Sequence, residues 1–171
     1  LYGSINTIGA SLRTELNDCS VLGTATNAFD LCNSVSLINC EAAGAGSGIT
    51  SNGDGFNIHN DAHIDHQYIY THDNYDDGIS SHENCFEFGL GAISEYNGGG
   101  GFTPAYGAQA VLHNPISRKN NGVTSRFNTN KNAGFECHAA NAGGGDDLST
   151  LTSLEVFNGV SIGDKNGFMD M

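Results

Sequence analysis

The sequence predicts an all-β chain wound into a β-solenoid, and three observations carry that prediction. The first is composition: 24 Gly and 20 Asn stand among 171 residues, where ordinary domains hold about 7% Gly. The second is a repeat in which a short apolar strand runs into an Asn/Asp/Gly turn and then into Gly followed by a bulky apolar residue. It occurs at 69–79, 93–102, 116–123 and 127–135, with weaker copies at 37–49 and 162–168. The third is period. Gly55, Gly78 and Gly101 are spaced by 23 and 23 residues, Gly122 follows 21 later and Gly134 only 12 later. A period of about 20–25 residues with short strands is a solenoid signature, and the short last step implies that the later copies mix two corners of one coil.

Other classes are excluded on the same numbers. Charged residues are 15% of the chain, too few for a coiled coil. The glycines have no three-residue period, which excludes collagen, and no apolar run reaches about 18 residues, so no membrane-spanning helix is expected. A hydrophobic content of 38% with 9 Phe and 6 Tyr can build a core, unlike a disordered chain. Six Lys+Arg against 19 Asp+Glu give a net charge of −13, with no Lys or Arg between Arg13 and Arg118. Such a surface repels phosphate, so neither nucleic acid nor an anionic membrane is an expected partner. The five cysteines (Cys19, Cys32, Cys40, Cys85 and Cys137) form no CxxC pair and read as small buried hydrophobes.

Along the chain, residues 1–30 fit the repeat poorly and are expected to be a cap or lead-in, with a short helix over Ala10–Leu16 closing the end of the stack. Residues 31–171 are expected to form the solenoid domain, about seven coils in all. Strands of neighbouring coils would pair about 4.8 Å apart, with Gly and Asn supplying positive φ at the corners. The residues after the register glycines (Phe56, Ile79, Phe102, Val123, Phe135 and Phe168) would point inward. No cap is apparent after Met171 and no leader before Leu1, so a piece of a longer or processed chain is expected. The alternative is an antiparallel β-sandwich, because Asn-Gly pairs at Asn52, Asn97, Asn121, Asn158 and Asn166 are also hairpin turns.

The turns Asn52-Gly53-Asp54-Gly55-Phe56 and Asp76-Asp77-Gly78-Ile79 resemble those of the right-handed parallel β-helix of the pectin-lyase-like superfamily, and within it most of all bacteriophage tailspike and tail-appendage domains. The resemblance spans about 35–168. It implies a virion or extracellular location, a homotrimer and a polysaccharide or cell-surface glycan as partner. The superfamily contains lyases, hydrolases, epimerases and non-enzymatic adhesins, so the fold leaves the activity open.

Stacking turns the repeat into candidate sites. Alternation along the strand after each register glycine places positions two and four outward: Asn57, Ser80, Thr103, Thr124 and Glu136, then His59, His82, Ala105, Arg126 and His138. Asn57, Ser80, His59 and His82 are thus expected on a polar outer face that binds sugar, with Arg126 to meet an acidic saccharide and Tyr96 beside the glycine run 98–101 to stack on a ring. Asp54 and Asp77 precede register glycines one coil apart, a spacing that suits the paired carboxyls of a retaining glycosidase. Asp before Gly is equally a turn-maker. The window 54–95 holds nine of the 19 acids and five of the seven His. Asp77, Asp54 and Glu83 are the candidate acid and base of a hydrolase. No HExxH-type signature is present, and no organic cofactor is implied. Clustered Asp admits Ca2+ on oxygen chemistry. The window lacks the Lys or Arg that pectate-lyase-type β-elimination uses; Arg118, Lys119, Arg126 and Lys131 come later. The leading expectation is a phage tailspike or tail-fibre segment that recognises host polysaccharide. A glycoside hydrolase depolymerase is the alternative, and a secreted carbohydrate lyase or epimerase the third.

Overall fold

A computed structural model describes residues 5–7, 13–46, 53–120, 133–137, 152–164 and 166–170. The described residues hold nineteen strands and no helix. The first coil is β1 (Ile5–Thr7), β2 (Thr14–Asn17) and β3 (Ser20–Leu22); the second is β4 (Phe29–Leu31), β5 (Val35–Ile38) and β6 (Glu41–Ala43). The third is β7 (Phe56–Ile58), β8 (His63–Gln67) and β9 (Tyr70–His72); the fourth is β10 (Ile79–Ser81), β11 (Phe86–Leu90) and β12 (Ile93–Glu95). The fifth is β13 (Phe102–Pro104), β14 (Gln109–His113) and β15 (Ile116–Arg118); the sixth is β16 (Ala133–Cys137), β17 (Ser153–Phe157) and β18 (Val160–Ile162), after which β19 (Asn166–Asp170) begins a seventh turn.

Each strand pairs in parallel with its equivalents in the coils below and above. Three sheets result: A from the first strand of every coil, seven strands in all, and B and C from the second and third, six each. The described residues form a right-handed parallel β-helix of about six coils, against about seven expected, and the sandwich alternative falls because every pairing among them is parallel. The lead-in region is corrected at one point: Thr14–Leu16 belong to strand β2 and form no helix, because Glu15 and Leu16 pair with Ser36 and Leu37. Ala10–Leu12 lie outside the described residues. Within 1–30, β1, β2 and β3 continue all three sheets.

The inward column of sheet A is Ile5, Phe29, Phe56, Ile79, Phe102, Phe135 and Phe168. Phe29 and Phe56 stack at 4.6 Å, and Phe102 and Phe135 at 5.1 Å. Phe168 stacks on Phe135 at 4.6 Å but is 61% exposed, since it tops the column. Phe102 pairs directly with Phe135, so Gly134, not Gly122, is the next register glycine. Val123 and Thr124 lie outside the described residues.

The register glycines answer to space rather than to backbone angle; the positive φ expected of Gly and Asn at the corners falls at other positions of each coil. A Cβ on Gly55, Gly78 or Gly101 would stand 2.0, 2.1 or 2.5 Å from the hydroxyl of Thr71, Ser94 or Ser117. Positive φ gathers in three columns of corner residues. One runs Asp18, Asn39, Tyr68, Gly91, Asn114 and Asn158; a second runs Gly23, Gly44, Asp73, Tyr96, Lys119 and Gly163; a third, between sheets A and B, runs Asn60, Glu83 and Tyr106, with Asp61, Asn84 and Gly107 beside them. The hydroxyls that exclude a Cβ serve a buried asparagine ladder. Asn74, Asn97 and Asn120 donate to Thr71, Ser94 and Ser117, at 2.8, 2.9 and 2.8 Å. Asn74 and Asn97 also donate to the next asparagine's Oδ1, at 2.8 and 2.9 Å. Asn97 of the Asn-Gly pair 97–98 is therefore a ladder residue, not half of a hairpin turn.

One polar pair lies inside the coils. His66 Nε2 meets Glu87 Oε1 at 2.8 Å and Ser81 donates to Glu87 Oε2 at 3.0 Å, all three fully buried. Gly89 makes room, since a Cβ there would reach 2.2 Å from the imidazole. The acid- and histidine-rich window is thus split between the interior and the surface. No disulfide joins the five cysteines; Cys40 and Cys85 are buried as expected, whereas Cys19, Cys32 and Cys137 are only partly buried.

Candidate functional site on the outer face of sheet A

Alternation along the three-residue strands of sheet A sets Asp30, Asn57, Ser80 and Thr103 in one outward column. Beyond the strand ends, His59 and His82 form a second column, their rings parallel at 5.8 Å. The two columns are wired together by one rule: each histidine reaches the position-two residue of the coil below. His59 Nε2 lies 3.0 Å from Asp30 Oδ1, and His82 Nε2 lies 2.8 Å from Asn57 Oδ1. Asn57 in turn donates to Asp30 at 2.7 Å. Tyr106 stands edge-on to His82 at 6.4 Å. Ala105 and Thr103, expected outward and accessible, are buried, and so are Asn57 and Glu136, because neighbouring coils cover them.

At the other end of the same strands lie the carboxylates of Asp54, Asp76 and Asp77, with an oxygen of each within 4.8 Å of the others. The chain brings them together because turns before β7 and β10 stack one coil apart. Asp54 Oδ1 accepts the Asp77 N–H at 3.0 Å, and Asp77 Oδ1 accepts the Gly100 N–H at 2.6 Å. Gly99 leaves space for the group: a Cβ there would stand 2.2 Å from Asp77 Oδ1 and 2.8 Å from Asp76 Oδ1. Burial, then the Asp76 charge, push the Asp54 carboxyl up to about 8. Burial and the neighbouring charges of Asp76, Asp54 and Glu136 also raise Asp77 well above the usual carboxylate range. Asp54 and Asp77, which resist ionising together, form with Asp76 an all-oxygen donor set, the set that hard cations such as Ca2+ take.

The expected catalytic groups are only partly assembled. Asp54 and Asp77 are brought together, while Glu83 stands past the far end of β10, six residues on from Asp77. The strand Ile79–Ser81 runs between them and sets the two carboxyl-bearing residues at its opposite ends. Glu83 instead accepts the Asn60 N–H at 3.1 Å. Ser80 is half-buried in the outward column. Tyr96 is exposed on a corner, with Lys119 Nζ 5.3 Å from its ring centroid. Arg118 is on sheet C, its Nε 3.1 Å from Glu95. Arg126, Lys131 and His138 lie outside the described residues. Asp30 escaped the sequence reading because Ala28, not glycine, precedes Phe29; the hydrophobic register of Phe29 with Phe56 was the signal that would have found it.

No family model and no curated protein matches the sequence. Among solved structures, pectate lyase Pel9A superposes with a TM-score of 0.63 over 98% of this chain, at 17% identity. The fold is a parallel β-helix, shared with that pectate lyase. The chain spans 48% of the length of Pel9A.

Proposed function

We propose that this β-helix binds an anionic polysaccharide along the outer face of sheet A, with Ca2+ held by Asp54, Asp76 and Asp77 joining protein to sugar carboxylates. The observation that carries this reading is the convergence of three carboxylates on one margin of a polar, histidine-bearing face. With no Lys or Arg between Arg13 and Arg118, a divalent cation is the means by which that margin tolerates a polyanion. The fold shared with a pectate lyase makes pectate the first ligand to test and an extracellular setting the matching location. Calorimetric titration with pectate should give binding in millimolar Ca2+ and none in chelator. Asp77→Asn should lower the Ca2+ affinity at least tenfold, and Ca2+-independent binding of equal strength would overturn the reading.

Two finer readings share this face. A retaining hydrolase would use Asp54 and Asp77, whose separation is the observation in its favour; new reducing ends without the ultraviolet absorbance of an unsaturated product would mark it. A trimeric phage tail appendage would cover the exposed apolar side chains of sheets B and C, among them Phe88, Phe157, Val160 and Ile162. Sedimentation mass separates these cases, since a monomer at micromolar concentration removes the trimer.

A further inference from the structure

We propose that His82 is the specificity-determining acceptor of this face: its Nδ1 takes a hydrogen bond from a sugar hydroxyl, and protonation turns that nitrogen away to Glu83. The inference rests on the polysaccharide reading above and concerns hydroxyl recognition, not the cation.

The tautomer follows from a chain of contacts. Asp30 is an acceptor only, so the Asn57 group that meets it at 2.7 Å is the NH2. Asn57 Oδ1 is then the atom 2.8 Å from His82 Nε2, and an amide oxygen can only accept. His82 Nε2 therefore carries the proton, and in the neutral ring Nδ1 carries the lone pair. The ring edge is partly open, with the side chain 24% exposed. Glu83 Oε1 stands 3.7 Å from Nδ1, too far to accept a hydrogen bond as placed, while its other oxygen is anchored by the Asn60 N–H at 3.1 Å.

The arrangement has two states. Neutral His82 offers Nδ1 to a donor hydroxyl, with Tyr106 edge-on as a wall. Protonated His82 has two N–H groups, one already on Asn57 and the other facing the anchored Glu83 carboxylate. The titratable groups about the ring are His59 below it, Glu83 beside it, Tyr106 above it and Asp30 beyond Asn57. Burial is the largest influence and keeps His82 below the ordinary histidine range; Glu83 and Asp30 oppose this, and His59 adds to it. The acceptor state is thus the one present at neutral pH. His59 repeats the construction one coil lower with a carboxylate in place of the amide, so only His82 is set by an uncharged partner.

The test is pectate binding at saturating Ca2+ across pH 5–8, with 15N spectra of the histidine rings. Wild-type affinity should fall about tenfold per pH unit below the His82 pKa, the slope of one linked proton. His82→Gln, which accepts at every pH, should fall less steeply than wild type by the slope of one proton, while keeping the dependence on Ca2+. Glu83→Gln removes the carboxylate that favours the charged ring, so the fall should move to lower pH. The 15N shifts should show Nδ1 unprotonated at neutral pH. A protonated Nδ1 there, or a His82→Gln profile superimposable on wild type, overturns the proposal. Wild type that binds no pectate at any pH in Ca2+ removes the polysaccharide reading first and this inference with it.

Discussion

At the scale of single residues, the register glycines are sites of close approach. Gly78 faces the Ser94 hydroxyl, the Asn97 amide and the Gly101 carbonyl, which a Cβ would meet at 2.1, 2.7 and 2.9 Å. Gly78→Ala should destabilise by about 1–3 kcal/mol through overpacking, a fall in melting temperature of roughly 2–12 °C at 2–4 °C per kcal/mol. Adding Ser94→Ala removes the nearest obstacle, so the double variant should be more stable than the sum of the two single losses, as a double-mutant cycle in thermal melts would read. The repeat was legible because glycine recurs wherever the hydroxyl does. It was illegible in the second coil for the matching reason. Ala28 takes the glycine position there, and Ala42 stands where Thr71 stands one coil up. With no hydroxyl to avoid, a methyl fits, and the glycine signal that would have exposed Asp30 vanished.

At the scale of an element, the corner from sheet C to sheet A holds both the asparagine ladder and the carboxylates. Asn97 donates to Ser94 and Asn120 and accepts from the backbone and side chain of Asn74. Asn97→Ala would strand buried partners at about 1–3 kcal/mol each, so a loss of about 2–4 kcal/mol in chemical denaturation is expected. A loss below 0.5 kcal/mol would mean that the ladder does not hold the corner. The spacing of the carboxylates could be read from sequence, since Asp54 and Asp77 share a register. The pairing of Asp77 with Glu83 could not, because nearness along a strand is distance in space, whereas one coil of 23 residues is a single strand spacing. Inward and outward positions on the longer sheet B strands were equally hidden. His66 and Glu87 look like surface polar residues until register turns them to the core.

At the scale of the whole molecule, the acid excess couples pH to cation. Asp54 titrates near 8 in the folded chain against about 3.9 when unfolded. A folded pKa above the unfolded one gives stability that is full below pH 4 and lost as pH rises through 8. In chelator the melting temperature should therefore fall from pH 5 to pH 9, and Asp54→Asn should flatten the fall. Ca2+ at a hundred times its Kd adds about 2.7 kcal/mol, roughly 5–11 °C, and should do so at pH 8 far more than at pH 5. A melting temperature that rises with pH in chelator would contradict the raised pKa. The solenoid itself was legible from period and composition alone, since stacking forces both. The turn 73–78 carries one last consequence. Asn74 Oδ1 accepts the Ala45 N–H of the coil beneath at 3.0 Å, and Asp77 Oδ1 accepts the Gly100 N–H of the coil overhead at 2.6 Å. The two ladders point in opposite senses along the rod. Amide exchange should report this as direction. Asn74→Ala should speed exchange at Ala45 and not at Gly100, and Asp77→Ala should do the reverse, from side chains three residues apart.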